Sequence, residues 1–342
     1  MSTTLQKPSS VLIDESILER VHKLRAARER LMEEVGKVIV GQKDVIDLML
    51  LGLLCRGHVL MQGVPGLGKT LMARTLSATL DLKFKRVQFT PDLMPSDITG
   101  ADILEEQEGG GGYRMKFVPG PIFTNFLLAD EINRTPPKTQ AALLQAMQER
   151  EVSIGNQTYK LDPPFFVVAT QNPIEMEGTY PLPEAQVDRF MFNIRVQYPE
   201  LSEEAAIIRG TTGVETSTPE RILKCDELLL LQDIVRAIPV SDDVIMYAAR
   251  LVSASRPDSP IAIDFVKKYI VYGASPRAGQ SLILAAKARS VLEGRYHVDF
   301  EDVRRLAHPV LRHRLVLNFH GRADSVDSDR VIDRLLAEVH QE

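Results

Sequence analysis

One eight-residue string constrains this chain more than any other feature. Gly63-Val64-Pro65-Gly66-Leu67-Gly68-Lys69-Thr70 matches the pattern GxxxxGK[ST] in full. An apolar run, His58-Val59-Leu60-Met61, precedes it, and a helical pattern begins at Lys69 and continues to Leu80. Glycines at such a turn let the backbone wrap a polyphosphate with several N–H groups pointing inward, at a helix N-terminus that favours negative charge. Lys69 is expected to reach the β- and γ-phosphates, and the Thr70 hydroxyl to sit on Mg²⁺. With average residue usage, a chance match in a chain of this length is on the order of one per cent. The competing interpretation is a glycine-rich turn with an incidental lysine.

A phosphate-binding loop needs a metal-holding acid at the end of a neighbouring strand. Phe126-Leu127-Leu128-Ala129 is an apolar run followed at once by Asp130 and Glu131. Asp130 is predicted to hold Mg²⁺, directly or through water, and Glu131 to polarise the attacking water as a general base. Two carboxylates here argue for hydrolysis rather than nucleotide storage. A further apolar run, Phe165-Phe166-Val167-Val168-Ala169, ends in Thr170-Gln171-Asn172-Pro173. Ligands sit at the carboxyl ends of parallel strands, so Asn172 is a candidate to bond the γ-phosphate or orient the water. Taken alone, Asn-Pro reads sooner as a turn than as a ligand-binding position.

These near-continuous apolar runs are the mark of central strands buried on both faces. The segment Lys138 to Glu149 between two of them is helical, so strand and helix alternate as in a parallel α/β sheet. Upstream, helical patterns run from Asp14 to about Gly36 and from Lys43 to Cys55, behind a loose polar tail, residues 1–13. Two insertions interrupt the alternation. Glu151 to Leu161 reads as a hairpin turning at Gly155-Asn156. Gly109 to Gly112 is a tetraglycine run, read as a flexible loop tip because no helix follows it. From Ser202 onward the patterns are helical with almost no strand character. The expected architecture is an α/β core over residues 14–198 and a smaller all-helical domain over 199–342.

Composition narrows the function. Forty-one Lys and Arg against 46 Asp and Glu leave a formal charge of −5, unlike a strongly basic nucleic-acid binder. Two cysteines cannot make a disulfide framework. The longest apolar stretch, Val45 to Cys55, is interrupted by Asp47 and is too short to span a bilayer. A cytoplasmic, non-membrane protein is expected.

With these residues assembled, the chain resembles an AAA+ ATPase, and more narrowly the MoxR family. The resemblance is carried by Val40-Gly41-Gln42, the phosphate loop, Asp130 to Arg134 with Pro137 to Gln140, and Gln145 to Glu149. Thr170 to Pro173, Leu182-Pro183-Glu184-Ala185-Gln186-Val187-Asp188-Arg189-Phe190 and Ser275-Pro276-Arg277-Ala278 complete it. It implies a P-loop core with a parallel sheet and a helical lid, ATP and Mg²⁺ as cofactors, and a nucleotide held by Val40, Gly41, Gln42 and Pro65 through Leu71. It also implies that Asn172 is the sensor beside the γ-phosphate. Arg189 would be a finger projecting into a neighbouring subunit's site, with a salt bridge to Glu184 or Asp188 as its alternative role. Arg277 would contact the γ-phosphate across the domain cleft, and Arg134 an adjacent subunit. The implied assembly is a hexameric ring. The implied function is a chaperone-like motor that remodels or matures a partner, often one with a von Willebrand A domain. The insertions near Gly155 and Gly109 would transmit nucleotide-driven motion to that client. A motor subunit of a metal chelatase and a non-catalytic ATP-gated scaffold stand as alternatives. A DNA helicase is disfavoured by charge, and a sigma-54 activator by the missing GAFTGA string.

Overall fold

The computed structural model describes residues 15–106, 113–173, 178–213 and 217–341. The tail, Asp14 and the tetraglycine run lie outside the described residues. Helices α1 (Glu15–Gly36) and α2 (Lys43–Leu54) lead into β1 (Val59–Gln62), followed by α3 (Lys69–Thr79) and β2 (Phe84–Gln88). A short α4 (Pro95–Thr99) precedes the ribbon β3 (Gly100–Glu106) and β4 (Tyr113–Pro119). The chain returns to the sheet in β5 (Phe126–Asp130), then forms α5 (Pro137–Glu149) and the hairpin β6 (Glu151–Ile154) and β7 (Gln157–Lys160). β8 (Phe166–Gln171), α6 (Glu184–Val187) and β9 (Phe192–Arg195) complete this part.

Five strands form one parallel sheet in the order β2-β5-β8-β1-β9. The three apolar runs legible in the sequence are its three inner strands. β5 is buried along its whole length, and β8 from Phe166 to Thr170. Leu60, Leu127, Ala129, Val167 and Ala169 face α5 on one side. Val59, Met61, Phe126, Leu128, Phe166 and Val168 face α2, α3 and the helical part on the other. The two strands the sequence pattern does not reveal, β2 and β9, are the sheet's edges. Lys85 and Arg86 of β2 and Arg195 of β9 are exposed, so neither reads as a continuous apolar run, and both are too short for alternation to stand out.

The ribbon and the hairpin are joined by aromatic rings. Phe117 stacks on Tyr159 with centroids 4.1 Å apart, and Phe123 meets Phe117 edge-on at 5.5 Å. At the ribbon's base Gly100 and Gly120 cross so closely that a Cβ on either would lie 2.2 Å from a carbonyl oxygen, that of Val118 or Ile98.

Beyond Tyr198 lie α7 (Leu201–Thr212), α8 (Cys225–Ala237), α9 (Asp242–Ala254), α10 (Asp264–Tyr269), α11 (Pro276–Leu292), α12 (Phe300–Leu311), α13 (Phe319–Ala323) and α14 (Ser328–Glu338). The helical expectation needs one correction. β10 (Ile270–Tyr272) pairs antiparallel with β11 (Val316–Leu317), a ribbon too short to leave a period-two signature. The apolar residues of the helical part and those of α1, α2 and α3 form one continuous buried cluster.

Candidate functional site: a phosphate loop facing two carboxylates

The turn between β1 and α3 has the shape the sequence calls for. Gly66 and Gly68 adopt φ of +86° and +73°, and Gly68 is the N-cap of α3. A side chain there would be strained although nothing crowds either position. Gly63 is needed for a different reason: a Cβ on it would lie 3.0 Å from Val196. Lys69 turns its ammonium back onto the carbonyl oxygens of Gly63 and Val64, the second at 3.2 Å. Burial pushes its pKa down, and the nearby Asp130 and Glu131 carboxylates pull it back up. Thr70 is half-buried and Leu71 exposed at the same helix start.

The acids lie at the carboxyl end of β5, on the same edge of the sheet as the loop. Asp130 is buried and Glu131 adopts φ +57°. A left-handed non-glycine residue costs on the order of 1–3 kcal/mol, and such strain clusters at functional sites. Thr170 of β8 ties the pair together: its hydroxyl donates to Asp130 Oδ1 at 2.5 Å and accepts the Glu131 N–H at 2.8 Å. The Gly63 N–H reaches Gln171 O at 3.3 Å. This brings Asn172, the next residue and buried, to the same edge. Lys69, Thr70, Asp130, Glu131 and Asn172 are thus assembled.

Two residues that sequence reasoning missed hold the carboxylates. Arg86 Nε and Nη2 both donate to Asp130 Oδ2, at 3.0 and 2.7 Å. Gln88 Nε2 donates to Glu131 Oε2 at 2.8 Å. They alternate on one face of β2, and Arg86 Nη2 also reaches Gln88 Oε1 at 2.5 Å. Only the register of the edge strand, Gln88 beside Asp130, reveals them. Arg134 Nε lies 3.4 Å from Glu131 Oε2, so it borders the acids of its own chain.

Arg189 and Arg277 are elsewhere. β9 runs parallel to β1 with Phe192 beside Val59 and Arg195 beside Gln62. Residues 188–191 therefore lie at the amino end of the sheet, about 13 Å of strand from the phosphate loop. Arg189 Nη1 donates to Leu144 O at 2.8 Å, not to Glu184 or Asp188. Asp188 instead accepts from Arg314 at 2.7 Å, Ser275 at 3.1 Å and Arg277 at 3.4 Å. Arg277, expected to contact the γ-phosphate across the domain cleft, lies here against Asp188. α11 packs at the Cys55 end of the sheet, where Cys55 Sγ donates to Leu284 O, and carries Arg277 to Asp188.

The donor set fits a nucleoside triphosphate with a divalent cation: backbone N–H groups and a lysine for phosphate, a threonine hydroxyl and a carboxylate for metal. Fold and site together define an AAA+ ATPase. A family model described as ATPase family associated with various cellular activities (AAA) matches residues 58–192, and one described as AAA lid domain matches 264–335. Chaperone MoxR1 of Mycobacterium tuberculosis is 45% identical over 325 residues, 95% of this chain and 84% of that one. Protein MoxR of Methylorubrum extorquens is 30% identical over 86% of this chain and 88% of its own. A crystal structure of a candidate ATPase from Cytophaga hutchinsonii superposes with a TM-score of 0.88 at 41% identity, covering 95% and 98% of the two chains. The chain belongs to the MoxR family of AAA+ ATPases.

Proposed function

We propose that this chain is a Mg²⁺-dependent ATPase motor working as a homo-oligomeric, hexameric ring in the cytoplasm. Its task would be to remodel or mature a partner protein, the candidate class being proteins with a von Willebrand A domain. Residues 14–198 form the ATPase core in this reading, and 199–342 the lid. The phosphate-loop N–H groups and Lys69 bind and orient the triphosphate, with Val40, Gly41 and Gln42 toward the adenine. Thr70 and Asp130 would hold Mg²⁺, which neutralises charge on the transferred phosphoryl group. Glu131 takes the proton of the attacking water, and Asn172 orients that water. For this, Gln88 and Arg86 must yield their bonds to Glu131 and Asp130.

The observation that carries the ring is the separation of the arginines from the loop. Arg189 and Arg277 cluster at the amino end of the sheet, and Lys69 and the two acids at the carboxyl end. A site completed by arginines then draws them from a neighbouring subunit, and heterologous contacts of that kind close into rings. The β3–β4 ribbon offers a surface for the client: Leu104, Tyr113 and Met115 are exposed, with Leu104 directly opposite Met115.

Mixing variants tests the reading. Lys69→Ala and Arg189→Ala should each bring phosphate release near background. Co-assembled, they should recover part of it, because an Arg189→Ala loop can face an intact arginine of a Lys69→Ala subunit. No recovery in rings shown to be mixed would rule out catalysis across subunits.

A further inference from the structure

One carboxylate that the motifs do not include, that of Glu203, lies against Gly41. Gly63 abuts Val196, whose N–H donates to Gln62 O at 2.7 Å. The next residue, Gln197, accepts a 2.9 Å bond from Gln42 Nε2. Gly41 and Gln42 are therefore tied to the start of the loop through the end of β9. Both adopt left-handed conformations, φ +69° and +56°. Four residues past Gln197 begins α7, and its third residue, Glu203, lies over Gly41. A Cβ on Gly41 would be 2.4 Å from Glu203 Oε1. The other oxygen, Oε2, is engaged by the Glu200 N–H at 3.1 Å and anchors the side chain. Glu200 and Glu203 form the capping box of α7, a helix with no buried residue, which fixes the carboxylate in this position.

We propose that Glu203 selects the nucleotide's base. This rests on the ATPase reading above, in which phosphates lie on the loop and the base beside Gly41. The exocyclic amino group of adenine is a donor, whereas guanine presents a carbonyl acceptor at the same ring position. A carboxylate aimed at Gly41 accepts from the first and repels the second. Charge-assisted hydrogen bonds of this kind are the stronger ones. The glycine at 41 lets the carboxylate approach the backbone and leaves its Oε1 directed at the base.

A calorimetric titration separates this role from a purely local one. ADP, purine riboside 5′-diphosphate (ADP without its amino group) and GDP are titrated into wild type, Glu203→Ala and Glu203→Gln. Wild type should lose about tenfold in affinity, or 1.4 kcal/mol, when the amino group is removed. Glu203→Ala should lose less than twofold. Glu203→Gln keeps an acceptor for the Glu200 N–H and gains a donor for guanine, so its preference for ADP over GDP should narrow about tenfold. Equal losses in wild type and Glu203→Ala, or an unchanged ADP/GDP ratio in Glu203→Gln, would overturn the assignment. Unaltered thermal midpoints without nucleotide exclude a folding effect. ADP binding that survives Lys69→Ala undiminished would defeat the loop reading itself, an outcome distinct from loss of selectivity.

Discussion

His58 should make the stability of this chain fall in mild acid, and by an amount that can be worked out. The ring is buried just ahead of β1. Its Nε2 lies 3.1 Å from Met147 O, which can only accept, so Nε2 carries the proton. Its Nδ1 accepts the Val167 N–H at 3.0 Å and must be bare. The neutral ring satisfies both neighbours, and the imidazolium would turn N–H against N–H. Burial accordingly pushes the pKa from 6.5 down to about 4, outweighing the Met147 bond that raises it. Above pH 6.5 both folded and unfolded chains hold the ring neutral and nothing is lost. Between 6.5 and 4 the unfolded chain binds the proton and the folded chain does not, so stability drops as pH falls. At 1.36 kcal/mol per pH unit the window is worth about 3 kcal/mol. His58→Gln supplies the comparison. It leaves the Val167 N–H unpaired and should cost about 1–3 kcal/mol at pH 7.5, but it does not titrate. Urea unfolding followed by circular dichroism, apt because the chain has no tryptophan, should show wild type and variant converging between pH 6.5 and 4. His313 is also held neutral by burial and by Arg314 and Arg312, but it is common to both proteins and cancels. Parallel curves across that range would refute the reasoning.

Other outcomes follow from the site. Glu131→Gln should bind ATP normally in a filter assay while phosphate release falls on the order of a hundredfold or more, the usual worth of a general base. Arg86→Ala frees Asp130 Oδ2 of a cation, so the Mg²⁺ concentration for half-maximal turnover should fall several-fold; a rise would mean that Arg86 positions Asp130 for the metal. Gly68→Ala forces a Cβ onto φ +73° and should cost about 1–2 kcal/mol, read as a lower thermal midpoint together with weaker nucleotide binding.

What the sequence made legible were the features written into contiguous residues. The phosphate loop and its helix, the three inner strands and the turn at Gly155-Asn156 all stand where the patterns put them, because each is specified locally. The edge strands escaped because Lys85, Arg86 and Gln88 interrupt the run from Phe84, and Asn193 and Arg195 interrupt the run from Phe192, so neither is continuously apolar. The partners of the acids escaped for a related reason. Arg86 and Gln88 lie more than forty residues from Asp130 and Glu131, and meet them only through the register of an edge strand. The contact of Arg277 with Asp188 was equally out of reach of the motifs, because it is set by how α11 docks against the end of the sheet.

The aromatic joint between the two insertions has a mechanical consequence. With Phe117 stacked on Tyr159 and Phe123 wedged against both, neither hairpin can pivot alone. At the root, the crossing of Gly100 and Gly120 removes the slack in which a swivel could form. A displacement at the root would therefore carry the two hairpins together rather than one past the other. Side chains at 103–106 and 113–116 lie outside this joint, so they can change without disturbing the contact that couples the two hairpins.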